Sequence, residues 1–292
     1  MEPLFEHRLT LDGFETRALE LEGAGTPILF LHGYADSADT WRNALDLLGR
    51  RGHRALAVDL PGFGTASPLD EAEPILAQLD RFAAAAVRHL ARGSAGVVVS
   101  GNSLGGCVAL RLGERPELPV VGVAPVAPAG LDMPRWFDAI ERDPIVRSLL
   151  AIPFPLPQAL VRAAVGEAYR NLAFARPRAV PREVVRAFAS HHHDRVTIRR
   201  YLAIAQRMLP ELRDPFRLST VGVPVLLVWG DHDRMVTHRG SRRVIEALPD
   251  TSYELIPGCG HCPQVEEPQR FVNLLLGFVD SLGEDEALPR PA

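Results

Sequence analysis

Short apolar segments alternate with longer helical patterns along most of this chain. Each apolar segment is too continuously hydrophobic to belong to a strand with one face in water, so these strands are predicted to be buried on both faces. They span residues 27–31, 54–58, 96–100, 120–124, 224–229 and 252–256. Strands separated by helices form a parallel sheet, because each crossover helix returns the chain to the end where the previous strand began. The sequence therefore predicts an α/β protein whose central sheet is mostly parallel and is flanked by helices.

A hairpin and a set of helices complete the predicted sheet. Residues 4–11 and 14–21 surround Asp12-Gly13, a dipeptide typical of tight β-turns, and are predicted to form the hairpin. The helical patterns lie at 38–50, 73–91, 104–114, 240–248 and 268–282. We expect the hairpin to lead into the parallel part of the sheet, which these helices cover.

The alternation of strands and helices is interrupted between residues 126 and 215. Apolar residues recur there at helical spacing, for example in 158–170 and 182–208, and no strand pattern is found. Prolines break the segment at Pro128, Pro134, Pro144, Pro153, Pro155, Pro157, Pro177 and Pro181. We predict one α/β core formed by residues 1–125 and 216–283, an inserted helical cap at 126–215, and a flexible tail at 284–292.

The composition excludes several classes of protein. The chain has 292 residues, of which 47% are apolar, so it can bury a large core without disulfides or metal ions. Its 36 acidic and 32 basic residues give a net charge of −4, which provides no basic surface for nucleic acid or an anionic membrane. No apolar run approaches the ~18 residues of a membrane span. We expect a small-molecule substrate, and the sequence predicts no oligomeric state.

The cysteines indicate a reducing compartment. Cys107, Cys259 and Cys262 are too few and too unevenly placed for the disulfide framework of a secreted protein, so the expected location is the cytoplasm. Cys259-Gly260-His261-Cys262 also looks like the dithiol motif of thioredoxin-like oxidoreductases, but too little chain follows it to build the rest of that fold. A zinc site would need a second pair of thiols, so no metal is expected.

The segment Gly101-Asn102-Ser103-Leu104-Gly105 directly follows a predicted strand and directly precedes a predicted helix. A serine on such a sharp turn adopts strained backbone angles, and its small neighbours provide the room that this requires. Its hydroxyl projects above the edge of the sheet, where N–H groups at the start of the helix can stabilise an oxyanion. We therefore predict that Ser103 is a nucleophile.

A serine hydroxyl needs a base to remove its proton, and His261 is the best placed of the ten histidines. It follows the last predicted strand and precedes the closing helix, which puts it at the same carboxyl edge of the sheet as Ser103. His191, His192 and His193 are consecutive in the insertion and would point in different directions from a helix. They are predicted to form a solvated surface rather than a metal site.

Two carboxylates compete to orient this histidine. Asp231 directly follows Gly230 and can cap the turn after the strand, whereas Asp233 lies deeper in the loop and can reach sideways to a neighbouring histidine. We favour Asp233, with Asp231 as the alternative. The chain order of nucleophile, acid and histidine is then Ser103, Asp233, His261, as expected for a serine hydrolase built on an α/β sheet.

Four landmarks resemble the α/β-hydrolase superfamily: Leu31-His32-Gly33-Tyr34, Asp59-Leu60-Pro61-Gly62-Phe63-Gly64, Gly101-Asn102-Ser103-Leu104-Gly105-Gly106 and Gly258-Cys259-Gly260-His261. In that family the loop after the His-Gly strand and the residue after the nucleophile each donate a backbone N–H to the oxyanion hole. The resemblance therefore implies that Tyr34 and Leu104 are these donors. It also implies that the acid ends a Gly-x-x-Asp stretch, here Asp233, and that a helical cap follows the strand after the nucleophile.

The resemblance and these residues predict a serine hydrolase that cleaves a small to medium carboxylic ester through an acyl-enzyme, without a cofactor. One alternative is a hydrolase of carbon–carbon bonds in ring-fission diketones, because the turn around Ser103 resembles the corresponding turn of those enzymes. They have a glycine-rich oxyanion loop and a tryptophan after the histidine, where this chain has Tyr34-Ala35-Asp36-Ser37 and Cys262. The other alternative is a non-catalytic protein that keeps the fold to bind a ligand.

Overall fold

The computed structural model of the protein describes residues 4–132, 158–180, 182–190 and 195–287. Within these residues, eight strands form one sheet. In chain order they are β1 (Leu4–Leu11), β2 (Phe14–Leu21), β3 (Ala24–Leu31), β4 (His53–Val58), β5 (Val97–Asn102), β6 (Val120–Val126), β7 (Leu226–Gly230) and β8 (Ser252–Ile256). The described helices are α1 (Arg42–Gly49), α2 (Ile75–Leu90), α3 (Leu104–Gly113), α4 (Gln158–Ala173), α5 (Arg182–Ser190), α6 (Arg195–Glu211), α7 (Ser241–Ala247), α8 (Pro263–Glu266) and α9 (Pro268–Ala287).

The strands are arranged in the order β1-β2-β4-β3-β5-β6-β7-β8. The pairs β1–β2 and β2–β4 are antiparallel, and the neighbouring pairs from β4 to β8 are parallel. This arrangement confirms the predicted α/β class with a mostly parallel sheet. The register places Leu31, Gly101 and Pro125 side by side, so the carboxyl ends of β3, β5 and β6 meet at one edge.

Both faces of the sheet are buried, as the continuous apolar segments predict. Leu29 and Leu31 pack into one apolar cluster with residues of α2 and α3. Ile28 and Phe30 pack into a second cluster with residues of α1 and α9. All four side chains are inaccessible to solvent. Because successive residues of a strand point to opposite faces, a strand between two helical layers is apolar at every position.

Several element boundaries differ from the predictions. The predicted helix 38–50 is a 3₁₀ turn at Ala38–Trp41 followed by α1. The predicted helix 182–208 corresponds to α5 and α6, and the intervening residues 191–194, which contain the three consecutive histidines, lie outside the described residues. The short helix α8, with a proline in its first turn, was missed.

The closing helix is longer than predicted. Helix α9 continues through Gly283 to Ala287, whereas the predicted helix ended at Leu282. A glycine inside a helix costs only about 1 kcal/mol relative to alanine, and the glutamates and alanine that follow are good helix formers. Residues 288–292 lie outside the described residues.

The helices α4, α5 and α6 lie between β6 and β7 and form the described part of the helical insertion. Glu211 at the end of α6 joins the insertion to the core. Its carboxylate accepts the backbone N–H groups of Ile75 and Leu76, each at 2.8 Å. These groups lie in the first turn of α2, where backbone donors lack partners within the helix. The insertion is thus attached to the layer of helices that contains α2.

Long apolar helices of the membrane-spanning kind are not found among the described residues.

Candidate active site

Ser103 forms a sharp turn between β5 and α3. Its backbone angles, φ 54° and ψ −110°, lie in a left-handed region that costs a residue with a side chain roughly 1–3 kcal/mol. Three hydrogen bonds hold its backbone: the Ser103 N–H donates to the Val126 carbonyl at 2.9 Å, and the Ser103 carbonyl accepts the N–H groups of Cys107 and Ala129 at 2.9 and 3.0 Å. Ser103 lines a cavity at the carboxyl edge of the sheet.

Gly105 allows α3 to pass close to β3, because a Cβ at this position would overlap the carbonyl oxygen of Leu31. We expect Gly105→Ala to lower the free energy of unfolding by about 3 kcal/mol or more, since backbone has to move. Urea denaturation measures this change. Gly277→Ala is the matched control: nothing lies within 4 Å of a Cβ there, so this exposed helical position should gain about 1 kcal/mol. Similar stabilities for the two variants would contradict the close approach.

The carboxylate of Asp233 and the imidazole of His261 form a buried pair. Asp233 Oδ2 lies 2.7 Å from His261 Nδ1, and the two side chains are 0% and 4% exposed. Asp233 Oδ2 also accepts the indole N–H of Trp229 at 3.1 Å. Its Oδ1 accepts the backbone N–H groups of Met235 and Val236 at 2.8 and 3.0 Å. A carboxylate held by these donors can bind the Nδ1–H of the imidazole, which leaves Nε2 as the basic nitrogen.

Asp231, the alternative acid, has different partners. Its Oδ1 accepts the backbone N–H of Gly258 at 2.7 Å and lies 2.6 Å from Nδ1 of His232. Asp231 therefore links the turn after β7 to the loop after β8. The structure places Asp233 against His261, and Asp231 closes the neighbouring turn.

Two hydrogen bonds to its backbone hold His261 in place. The Asn102 side-chain amide donates to the His261 carbonyl at 2.9 Å. The His261 N–H donates to the carbonyl of Ala173, the last residue of α4, at 2.7 Å. The sequence pattern places Asn102 beside the nucleophile but does not reveal this contact, because the two residues are 159 positions apart. Trp229, which contacts Asp233, was also missed, since a tryptophan in a buried strand reads as core.

Tyr34 and Leu104 lie next to Ser103, and both line the cavity. A Cβ at Gly33 would be 3.4 Å from the Cβ of Ser103, so the loop that carries Tyr34 approaches the serine closely. Leu104 is the first residue of α3, where backbone N–H groups have no partner within the helix. The positions suit the two oxyanion donors, whose role stays a prediction.

A second imidazole, that of His32, forms hydrogen bonds that hold the loop carrying Tyr34. The backbone N–H of Leu60 donates to His32 Nε2 at 2.8 Å, and His32 Nδ1 lies 2.7 Å from the Gly33 carbonyl. With Nε2 accepting, Nδ1 carries the proton and donates to that carbonyl. His32 is fully buried and serves to hold the loop in place rather than to act as a base.

The cavity over Ser103 has a volume of about 320 Å³, which is within the range of small-molecule sites. The insertion contributes the apolar residues Val165, Ala168, Leu172, Phe188, Leu202, Ala205, Met208, Leu209 and Leu212. The core contributes Ser103, His261 and Asp36. Among the described residues, no arginine lines this cavity, and the chain has no lysine.

The cysteines of the dithiol-like motif are free and buried. Burial raises the pKa of the Cys259 and Cys262 thiols well above their ordinary value, and nearby carboxylates add to this effect. Burial likewise raises the pKa of Cys107. A raised pKa keeps a thiol protonated and therefore poorly nucleophilic.

We expect iodoacetamide at about pH 8 to leave all three thiols of the folded protein unmodified, because little thiolate is present. Intact-mass spectrometry counts the added groups, and the same reaction in denaturant is the control, in which every cysteine should react. Rapid alkylation of Cys259 or Cys262 in the folded protein would revive the redox interpretation.

The profile of the alpha/beta hydrolase family matches residues 28–274. The match extends from β3 into α9 and contains Ser103, Asp233 and His261. The chain belongs to the alpha/beta hydrolase family. This finding confirms the resemblance carried by the four sequence landmarks.

Relatives of this hydrolase have several names. A 2-hydroxy-6-oxo-6-(2'-aminophenyl)hexa-2,4-dienoic acid hydrolase from Metapseudomonas resinovorans is 27% identical over 288 residues, which cover 94% of this chain and 90% of that protein. Lipase 3 from a Moraxella species is 23% identical, and the match covers 88% of this hydrolase and 78% of the lipase. A crystal structure of a serine hydrolase involved in carbazole degradation has a TM-score of 0.75 at 23% identity, covering 95% of this chain and 99% of that one. The structural similarity shows a shared fold.

Proposed function

We propose that this hydrolase cleaves a small to medium, uncharged carboxylic ester through an acyl-enzyme. In this proposal Ser103 is the nucleophile, His261 is the base, and Asp233 holds the imidazole in the tautomer that accepts a proton at Nε2. The N–H groups of Tyr34 and Leu104 stabilise the oxyanion. These roles are supported by the buried pair of Asp233 and His261 and by the cavity that His261 and Ser103 both line.

The reaction proceeds in two steps, acylation of Ser103 and hydrolysis of the acyl-enzyme. Ser103 Oγ attacks the ester carbonyl while its proton passes to His261 Nε2, and the same proton then leaves with the alcohol as the acyl-enzyme forms. Water then attacks the acyl group and gives a proton to His261, which passes it to Ser103 Oγ as the bond between Oγ and the acyl carbon breaks and the acid is released. The positive charge that develops on the imidazole is stabilised by the Asp233 carboxylate.

The lining of the cavity is the observation that favours an uncharged ester. Most described lining residues are apolar. A substrate carboxylate placed against these apolar side chains would lose its hydration, which costs several kcal/mol. A neutral ester avoids this cost and places its carbonyl at Ser103.

Cleavage of a carbon–carbon bond is the second candidate function. The relative from Metapseudomonas resinovorans, matched over 94% of this chain, is named as a hydrolase of a hexa-2,4-dienoic acid. Relatives named for esters or lipids, such as Lipase 3, support the first candidate to a similar degree. The two functions differ in whether the substrate carries a carboxylate into the cavity.

A pair of assays separates these functions and the non-catalytic alternative. A fluorophosphonate probe should label the wild-type protein at Ser103, whereas a ligand-binding protein should show no labelling that Ser103→Ala abolishes. We then expect p-nitrophenyl esters of increasing acyl length to be hydrolysed with a higher kcat/KM than a ring-fission dienoate. A higher kcat/KM for the dienoate would replace the ester proposal with the carbon–carbon one.

We also propose that residues 126–215 act as a cap that sets the size of the substrate. The described helices of this segment, α4, α5 and α6, each contribute apolar side chains to the cavity. An apolar pocket discriminates between chains that differ by one methylene only about 10- to 200-fold. We therefore expect kcat/KM to rise gradually with acyl length and to fall once the acyl chain is longer than the cavity is deep.

A further inference from the structure

Glu266, at the end of α8, forms hydrogen bonds to two segments: the loop that carries His261 and the segment that follows α4. Its Oε1 accepts the backbone N–H of Gly260, the residue before His261, at 2.6 Å. Its Oε2 accepts the backbone N–H groups of Ala175 and Arg176, just after α4, at 2.9 and 3.4 Å. One carboxylate thus binds the histidine loop with one oxygen and the segment leaving α4 with the other.

The two segments also contact each other directly. The His261 N–H donates to the Ala173 carbonyl at 2.7 Å. A Cβ at Gly260 would lie 2.5 Å from that same carbonyl and 2.7 Å from the Ala175 nitrogen, so the backbones leave no space for a side chain. A displacement of the segment after α4 therefore moves the backbone of His261.

The Glu266 carboxylate is the hydrogen-bond acceptor for the backbone N–H groups of Gly260, Ala175 and Arg176. Hydrogen bonds to a charged acceptor contribute about 1.5–3 kcal/mol, and a donor left without its acceptor adds a desolvation cost. Helix α4 in turn carries Tyr169 and Leu172, which line the cavity. A chain of contacts therefore runs from the cavity wall through Glu266 to the imidazole.

We propose that Glu266 is a positioning residue that couples helix α4 of the insertion to the orientation of the His261 imidazole. This inference rests on the proposed function of Ser103 and His261. Glu266 touches neither the substrate nor the reacting atoms. It determines how often the imidazole lies where it can take the serine proton.

Glu267 provides a matched control. It is adjacent in sequence and also contacts the segment after α4, but through an exposed ion pair of 3.4 Å between its side chain and that of Arg176. Exposed pairs of this kind contribute little to stability. Glu267→Gln therefore removes a carboxylate from the same region without releasing the histidine loop.

The test compares wild type, Glu266→Ala, Glu266→Gln and Glu267→Gln as full chains. Misplacement of a reacting group by about 1 Å can cost 10²-fold, so we expect Glu266→Ala to lower kcat by about 100-fold with a much smaller change in KM. Glu266→Gln should fall between this variant and wild type, because its amide oxygen still accepts one of the two sets of N–H groups. Glu267→Gln should match wild type.

A spectroscopic measurement separates positioning from general destabilisation. The proton on His261 Nδ1, shared with Asp233, should give a downfield ¹H NMR signal in wild type and Glu267→Gln. In Glu266→Ala it should broaden or exchange faster while the protein remains folded by circular dichroism. If Glu266→Ala does not fold, the Nδ1–H signal and kcat of Glu266→Gln are compared with those of wild type instead.

The outcomes distinguish this inference from the proposed function. An unchanged kcat and an unchanged Nδ1–H signal in folded Glu266 variants would overturn the positioning role, even with an active wild type. Absence of fluorophosphonate labelling in wild type would instead overturn the function proposed for Ser103. In that case the NMR comparison still decides whether Glu266 orients the imidazole.

Discussion

Replacing Ser103 with alanine should lower kcat for the best p-nitrophenyl ester by roughly 10⁶, the effect of removing the nucleophile in another serine hydrolase. Without Oγ there is no acyl-enzyme, and water has to attack the substrate directly. The proposed oxyanion donors and the cavity remain, so some rate enhancement over the uncatalysed reaction should persist. Steady-state kinetics on carefully purified variant protein measures the loss, and fluorophosphonate labelling should disappear with it.

Ser100→Ala is the matched control for this loss. Ser100 is on the same strand, β5, and is fully buried, and its hydroxyl donates to the Ala124 carbonyl at 2.8 Å. Removing this hydrogen bond should cost about 1 kcal/mol of stability and leave kcat nearly unchanged. A Ser103→Ala protein that keeps substantial activity would refute the covalent mechanism.

Replacing Asp233 with asparagine should lower kcat by roughly 10⁴, as the equivalent change does in another serine hydrolase. The side chain accepts hydrogen bonds from the His261 imidazole, the Trp229 indole and the backbone N–H groups of Met235 and Val236. The indole and the backbone N–H groups can only donate. The imidazole is the one partner that can change tautomer, so the asparagine NH₂ would force Nδ1 to become the acceptor. Nε2 then carries the proton and cannot take another from Ser103.

Asp231→Asn decides between the two acids that the sequence left in competition. Asp231 binds Gly258 and His232 rather than His261, so its loss should loosen the turn and change kcat only slightly. Steady-state kinetics and thermal unfolding of both variants test this. A larger kcat loss in Asp231→Asn than in Asp233→Asn would reverse the assignment of the acid.

The parallel core of the fold was predictable from sequence because strands buried on both faces contain consecutive apolar residues. Residues 28–31 of β3 and 97–99 of β5 are consecutive apolar residues, and an exposed helix does not have that pattern. The ends of elements were less predictable. The 3₁₀ turn at Ala38–Trp41 and the continuation of α9 to Ala287 depend on local hydrogen bonding and on modest helix propensities, which hydrophobic periodicity does not report.

The candidate site was predictable where its chemistry coincides with local chain geometry. Ser103 was identified because a serine between glycines at a strand-to-helix turn has a strained conformation that few other functions explain. Asn102, Trp229 and Glu266 were missed as partners of the site. Their contacts to His261, Asp233 and Gly260 depend on side-chain direction and on loops that are distant in sequence.

The sequence by itself determined the class of fold, the place of the turn at Ser103, and the set of residue types available at the carboxyl edge of the sheet. These follow from periodicity and from the steric limits of single residues, which act over a few positions. Only the tertiary structure decided that Asp233 rather than Asp231 faces His261, and that the wall of the cavity is linked to the histidine loop. Those contacts join residues that are separate along the chain, and packing alone brings such residues within hydrogen-bonding distance.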